Sequence, residues 1–298
     1  MLQNHYGEFA ALFVALFWTV TALSFESASI KVGSLPVNLI RLVIGFIFLS
    51  LLNLVLRGLV FPTDASVHNW IWLSVSGLIG FVIGDYFLFK SYTIIGSWFA
   101  MLIMTLAPPM AAVFGWILLD ERLNLISITG ITITMLGITI AMFRRDRVNR
   151  KVTVSKPLSG ILFAFGGALG QALGIVFSKY GMQQYNPFAA TQIRIITGIV
   201  GFMIVVTLAG KWGSIRSAVL NHAAMKPIAL GSFFGPFLGV SFSLLAIQHT
   251  STGIASTIMA LVPVFIIPPS IWLFKHKVTT REIIGTVVSL IGVALFFL

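Results

Sequence analysis

The chain has 298 residues, 58% of them hydrophobic and only 9% charged, with no cysteine. Soluble domains carry about 25% charged residues, so a water-solvated globular surface is excluded, as are disulfides and thiolate metal sites. The net charge of +11 is confined to short gaps between apolar runs of bilayer-spanning length, about 20 residues, a pattern of membrane topology and not of nucleic-acid binding.

The runs predict ten membrane helices, near 7–29, 36–56, 69–90, 94–119 and 125–143, then 158–179, 187–209, 226–247, 252–274 and 280–298. The first begins near Gly7 with no basic region before it and no small-residue cleavage site, so it reads as a retained helix and not a signal peptide. Pro36 and Pro187 open the second and seventh spans, where a first-turn proline costs no hydrogen bond. The fourth and ninth carry Pro108 and Pro263 inside long apolar runs, where proline removes a donor and collides with the preceding turn. A break near mid-membrane is tolerable only beside protein or a watery cavity.

Self-comparison finds a repeat. A shift of 155 residues lays 84–143 on 239–298 without a gap, pairing Gly84 with Gly239, Met104 with Met259, Pro108 with Pro263, Gly130 with Gly285 and Gly137 with Gly292; Gly80 and Gly235 extend it. A shift of 153 aligns the earlier parts, pairing Gly7 with Gly160, Glu26 with Lys179, Arg41 with Arg194 and Gly45 with Gly198. Pro109, Pro268 and Pro269 have no counterparts. The organisation is a five-helix repeat at 1–143, a basic polar linker at 144–157 and a second repeat at 158–298. Five is odd, so the second copy is expected upside down relative to the first. Lysines and arginines crowd the linker and the gaps on its side, leaving Arg57, Arg122 and Lys179 opposite. The positive-inside rule then places the linker in the cytoplasm and both termini outside, in a cell (inner) membrane.

Ionisable residues at bilayer depth normally face a cavity or a partner. Arg41 and Arg194, equivalent in the two repeats, are expected at the pseudo-symmetric centre, or else snorkelling or paired, Arg41 with Glu26 for example. Asp85 and Lys90 read either as a local ion pair or, for Asp85 and Glu26, as proton-titrating sites. With Lys179 the cavity would hold four cations against two anions, favouring an anionic or zwitterionic solute. Trp18, Tyr86, Gln171, Gln192 and Ser241 are candidates to shape the pocket. Tyr92, Trp98, Gln248 and His249 are candidates too, although His249 lies near a span end and is expected to face a headgroup region. Glycines spaced along Gly77–Gly84, Gly166–Gly174 and Gly231–Gly239 read as helix-packing devices. No nucleotide-binding, nucleophile-elbow or metal-spaced motif appears, so no enzyme activity, cofactor or ATP-driven step is expected.

The two five-helix repeats, the fourth-helix proline, and "LLDERLNLISITGITITMLGITIAMF" with its echo "WLFKHKVTTREIIGTVVSLIGVALFF" resemble EamA-type members of the drug/metabolite transporter superfamily. The most specific parts are that proline, the Glu121–Arg122 turn, and Gly130 and Gly137; His276–Lys277 is a degenerate copy of the turn. The resemblance implies a ten-helix basket around a central cavity walled mainly by helices 1–4 and 6–9. It also implies movement of amino acids or other small metabolites, often outward, without ATP. The alternative from the residues is a lipid-headgroup flippase or other intramembrane lipid-handling protein. The expected partners are a small-molecule solute and the lipid bilayer, with no nucleic acid; a homodimer is compatible with the sequence.

Overall fold

The computed structural model describes residues 6–119, 125–145, 152–154, 156–249, 258–275 and 278–296. Among the described residues the regular elements are helices apart from a three-residue antiparallel pair, β1 (Phe143–Arg145) with β2 (Val152–Val154), at the expected linker. In the first half, α1 (Tyr6–Val32) is followed by α2 (Ser34–Arg57), with Pro36 in its first turn and Gly58 in the left-handed conformation (φ 68°) closing its end on the Leu54 carbonyl. Next, α3 (Val67–Ile95) opens on a capping box in which Ser66 and Asn69 satisfy each other's backbone donors. Gly96, at φ 80°, turns the chain from α3 into α4 (Ser97–Met104), and α5 (Ala107–Leu119) and α6 (Leu125–Met142) follow. The second half runs α7 (Leu158–Met182), α8 (Pro187–Leu208), a short α9 (Trp212–Leu220), then α10 in the pieces His222–Ser232, Phe233–Gly239 and Val240–His249. It ends with α11 (Val262–Phe274) and α12 (Thr280–Phe296).

Seven helical runs among the described residues are long and apolar enough to cross a membrane. The expected fifth, ninth and tenth spans correspond to the shorter α6, α11 and α12, and the start of the ninth lies outside the described residues, as does the Glu121–Arg122 turn with its His276–Lys277 echo. The α9 helix was not foreseen; its few apolar residues fall below the length of a spanning run.

Exposure is inverted relative to a water-soluble protein. Val55, Leu208 and Trp272 are all more than 80% exposed, while Asn38, Ser76, Thr191 and Gln192 are fully buried. Large apolar surface outside and satisfied polar groups inside suit a hydrocarbon solvent.

Two irregularities recur at equivalent positions. Leu78–Gly84 within α3 and Phe233–Gly239 within α10 are π-helical turns, and each ends on a wide bond, from Asp85 N–H to the Gly80 carbonyl and from Val240 N–H to the Gly235 carbonyl. Such turns insert an extra residue into the helical ladder and cluster at functional sites. The second irregularity is a break at 105–106 and again at 260–261. It corrects the expectation of prolines in a helix interior. Pro108 is the second residue of α5 and Pro263 the second of α11. Donors in a helix's first turn have no partner within that helix, so these prolines start new helices and cost little. The chain breaks just before them.

Glycines set how closely helices pack. A Cβ on Gly170 of α7 would sit 2.5 Å from the Gly84 Cα of α3, and one on Gly137 of α6 would sit 2.3 Å from the Ser289 nitrogen of α12. Both contacts join the first repeat to the second.

Candidate functional site

A cavity of about 160 Å³ lies between the repeats, and residues of both line it. Its walls are duplicated pairwise. The repeat shifts take Trp18 to Gln171, Arg41 to Arg194, Phe81 to Pro236, Asp85 to Val240, Phe89 to Leu244, Met104 to Met259 and Pro108 to Pro263, and every one of these residues faces the cavity. The π turns carry Phe81 and Pro236 and deliver Asp85 and Val240 immediately after them. The helix breaks deliver Thr105 and Ala260, with Pro108 and Pro263.

The charges on the wall are Arg41, Asp85 and Arg194, each 4% exposed. Arg41 and Asp85 form an ion pair at 2.5 Å, and Asn38, one turn before Arg41, accepts from the Arg41 Nε at 3.1 Å. Gln171, from the other repeat, donates to the second Asp85 oxygen at 2.7 Å. The Arg41 guanidinium also lies 4.7 Å from the centre of the Phe89 ring and 5.6 Å from that of Phe81, positions favoured by the ring quadrupole. A buried ion pair needs this extra hydrogen bonding to offset the desolvation of both ions.

Arg194 differs. It makes no ion pair among the described residues and its Nε is buried without a hydrogen-bond partner; the Phe81 ring lies 4.7 Å from its guanidinium, and Asp85 acts on it through its field without a direct contact. The cause lies in the repeat. The position that holds Asp85 in the first copy holds Val240 in the second.

Arg41, Arg194, Asp85, Trp18, Gln171, Pro108 and Pro263 of the expected site therefore share one cavity, and the other candidates lie elsewhere. Glu26 is buried but accepts from the backbone nitrogen (3.0 Å) and hydroxyl of Ser97 at the start of α4. It ties α1 to a helix N-terminus, where a carboxylate is favoured. Arg41 thus pairs with Asp85 and not with Glu26. Lys90 and Lys179 are exposed. Five residues along a helix turn about 140° away, so Lys90 cannot share the face of Asp85. Gln192 is fully buried, accepting from Asn53 at 2.9 Å and donating to Ser50 and to the Val60 carbonyl. It pins α8 to the end of α2. Ser241 is buried off the wall and Tyr86 packs against Phe87. Tyr92, Trp98 and His249 also lie off it, His249 exposed against the Tyr6 ring, and nothing is described of the Gln248 side chain.

Residues that the sequence did not single out complete the wall: Thr21, Phe25, Phe81, Phe89 and Met101 among them. Asn38 carried a signal, a polar residue three before an intramembrane arginine. The aromatic and methionine positions carried none.

A second cross-repeat cluster lies at one end of the helices. Asp64, in the loop after α2, accepts from Arg57 and, at 2.9 Å, from the Tyr185 hydroxyl beyond α7. Burial pushes the Tyr185 hydroxyl up to about 12, with the Asp64 contact adding to the rise. Burial works against ionisation of Asp64, but its bonds from Tyr185 and Arg57 outweigh this and hold the carboxyl below its usual range.

A duplicated set of apolar helices, enclosing a charged cavity walled by both copies, is the architecture of a multi-pass membrane transporter. The chain belongs to the EamA-like transporter family, whose model matches it twice, at residues 5–143 and 158–298. It is 26% identical to an "Uncharacterized transporter" of Clostridium kluyveri over 60% of this chain, a match that spans only 56% of that protein. It is 23% identical to an "Uncharacterized transporter" of Archaeoglobus fulgidus over 73% of this chain and 74% of that one. A solved chain described as "Crystal structure of protein" superposes with a TM-score of 0.62 at 16% identity, covering 98% of this chain and 96% of that chain, a likeness of fold.

Proposed function

We propose that the protein is a secondary transporter of small organic solutes, amino acids or related metabolites, working without ATP by alternating access and in the export direction. One observation carries the reading: the cavity wall is built pairwise from equivalent residues of the two repeats. In transporters with internal repeats the substrate site lies at the repeat interface, and rocking of one repeat against the other exposes it to either side. In this reading the chain forms ten transmembrane helices as two inverted five-helix repeats in a cell inner membrane. The linker 144–157 is cytoplasmic. Arg41, Arg194, Asp85, Trp18 and Gln171 contact the solute, and the breaks before Pro108 and Pro263 are the flexing points.

The test is flux. Purified protein in proteoliposomes is expected to move members of a panel of labelled amino acids and metabolites in a saturable way, with or without an imposed proton gradient. Arg41→Ala and Arg194→Ala are expected to insert normally and to cut that flux at least about tenfold, a loss of 1.4 kcal/mol or more in stabilisation. Absence of flux across the whole panel would overturn the reading.

A further inference from the structure

We propose that the cavity binds an organic monocarboxylate with an apolar body, which narrows the solutes above to related metabolites without an ammonium group, and that Arg194 is the residue that receives the carboxylate. The inference rests on the transporter reading only in taking the cavity as the solute site.

Of the three charges on the wall, two neutralise each other. One oxygen of Asp85 accepts from Arg41 and the other from Gln171. Arg194 remains, buried and facing the same space, with an unpartnered Nε, no ion pair or side-chain hydrogen bond among the described residues, the Phe81 ring beside it and only the longer-range field of Asp85 acting on it. The wall therefore carries one net positive charge, concentrated on a planar donor group that matches a carboxylate in shape. An isolated buried cation is costly, and an anionic ligand removes that cost when it enters.

The rest of the wall sets the remainder of the ligand. Trp18, Phe25, Leu88, Met101, Met104 and Met259 surround the charged group with apolar and polarisable surface. Such a wall suits an aromatic or branched body and offers little to a second charge. An ammonium group would have to share Asp85, the only anion on the wall among the described residues, with Arg41 and Gln171, which already donate to both of its oxygens. The zwitterionic form of an amino acid is thus the poorer fit, and so is a small inorganic anion, which leaves the apolar wall unfilled.

Three probes of one skeleton separate these cases: 3-phenylpropanoate, phenylalanine and 3-phenylpropanamide, titrated calorimetrically into the purified full-length protein. The expected result is binding of 3-phenylpropanoate at least about tenfold tighter than either of the others, independent of any flux measurement. Arg194→Gln is expected to erase that preference and Arg194→Lys to keep part of it, each checked for a monodisperse fold. Equal or tighter binding of phenylalanine, no binding of 3-phenylpropanoate, or an undiminished preference in a folded Arg194→Gln protein would each overturn the proposal. The wild-type comparison decides the matter even if the variants fail to fold. Carboxylate binding without flux of any solute would remove the transporter reading and leave this site standing. Saturable flux with none of this carboxylate preference would do the reverse.

Discussion

Arg41 and Arg194 are the same residue at the same place in a duplicated unit, yet their surroundings differ in one decisive respect. Arg41 is held by Asp85 and Asn38, whereas the partner position for Arg194 is Val240, which lines the same cavity. A single side chain thus decides whether the centre is neutral or carries a positive charge. The duplicated geometry predicts the consequence of restoring the carboxylate. Val240→Asp should place an anion beside Arg194 as Asp85 stands beside Arg41, and lower the affinity for 3-phenylpropanoate by about tenfold or more, since two opposite charges 4 Å apart attract by several kcal/mol even at moderate dielectric. Val240→Asn, equal in size and uncharged, should bind the probe within a few-fold of wild type. Calorimetry on the two variants checks this, and equal affinities would show that charge at this position does not govern the site.

At the scale of helices, glycines and prolines carried most of what could be foreseen. Gly137 with Gly292, and Gly84 with Gly239, stood out in the sequence because a close helix crossing tolerates nothing larger. In the structure Gly137 meets the backbone of Ser289 and Gly285, and Gly292 meets that of Thr134 and Gly130. Gly137→Leu should therefore force α6 and α12 apart, costing about 1–3 kcal/mol as overpacking does, and lower the thermal midpoint in detergent measurably. Gly213→Ala, where a Cβ would meet nothing within 4 Å, should not lower that midpoint, since alanine suits a helix at least as well as glycine. The prolines were legible as paired breaks, but their place at helix starts was not, because a proline run has the same composition whether it bends a helix or begins one. The π turns were illegible for a related reason, since a glycine pattern shows close packing without showing the hydrogen-bond ladder. Site residues divided along the same line. Arginine at bilayer depth is rare enough to be read directly, and Arg41 and Arg194 both face the cavity. Glu26 had the same signature and serves a helix N-terminus instead. Phe81, Phe89 and Met101 look in sequence like any lipid-facing residue, so most of the wall emerges only from the packing.

The whole molecule raises a question of direction across the membrane that the duplication itself makes testable. If the two repeats were parallel copies, equivalent loops would face the same compartment; in the proposed reading, with five spans in each copy, they face opposite compartments. The loop after α2 and the loop after α8 are such equivalents, both following the second helix of their repeat. Thr63 lies exposed in the first and Ser217 exposed on α9 in the second. Because the chain has no cysteine, single cysteines at these positions report without background. A membrane-impermeant maleimide applied to cells with a permeabilised outer envelope and an intact inner membrane should label Thr63→Cys and not Ser217→Cys. Ser155→Cys in the basic linker should behave like Ser217→Cys, and all three should react once the membrane is opened. The charge distribution predicts this sense, because basic residues accumulate on the cytoplasmic side. Labelling of Thr63→Cys and Ser217→Cys from the same side would remove the inversion, and with it the argument that one cavity serves two opposed gates. A full reversal, with Ser217→Cys and Ser155→Cys alone accessible, would keep the inversion and turn the transporter over in the membrane.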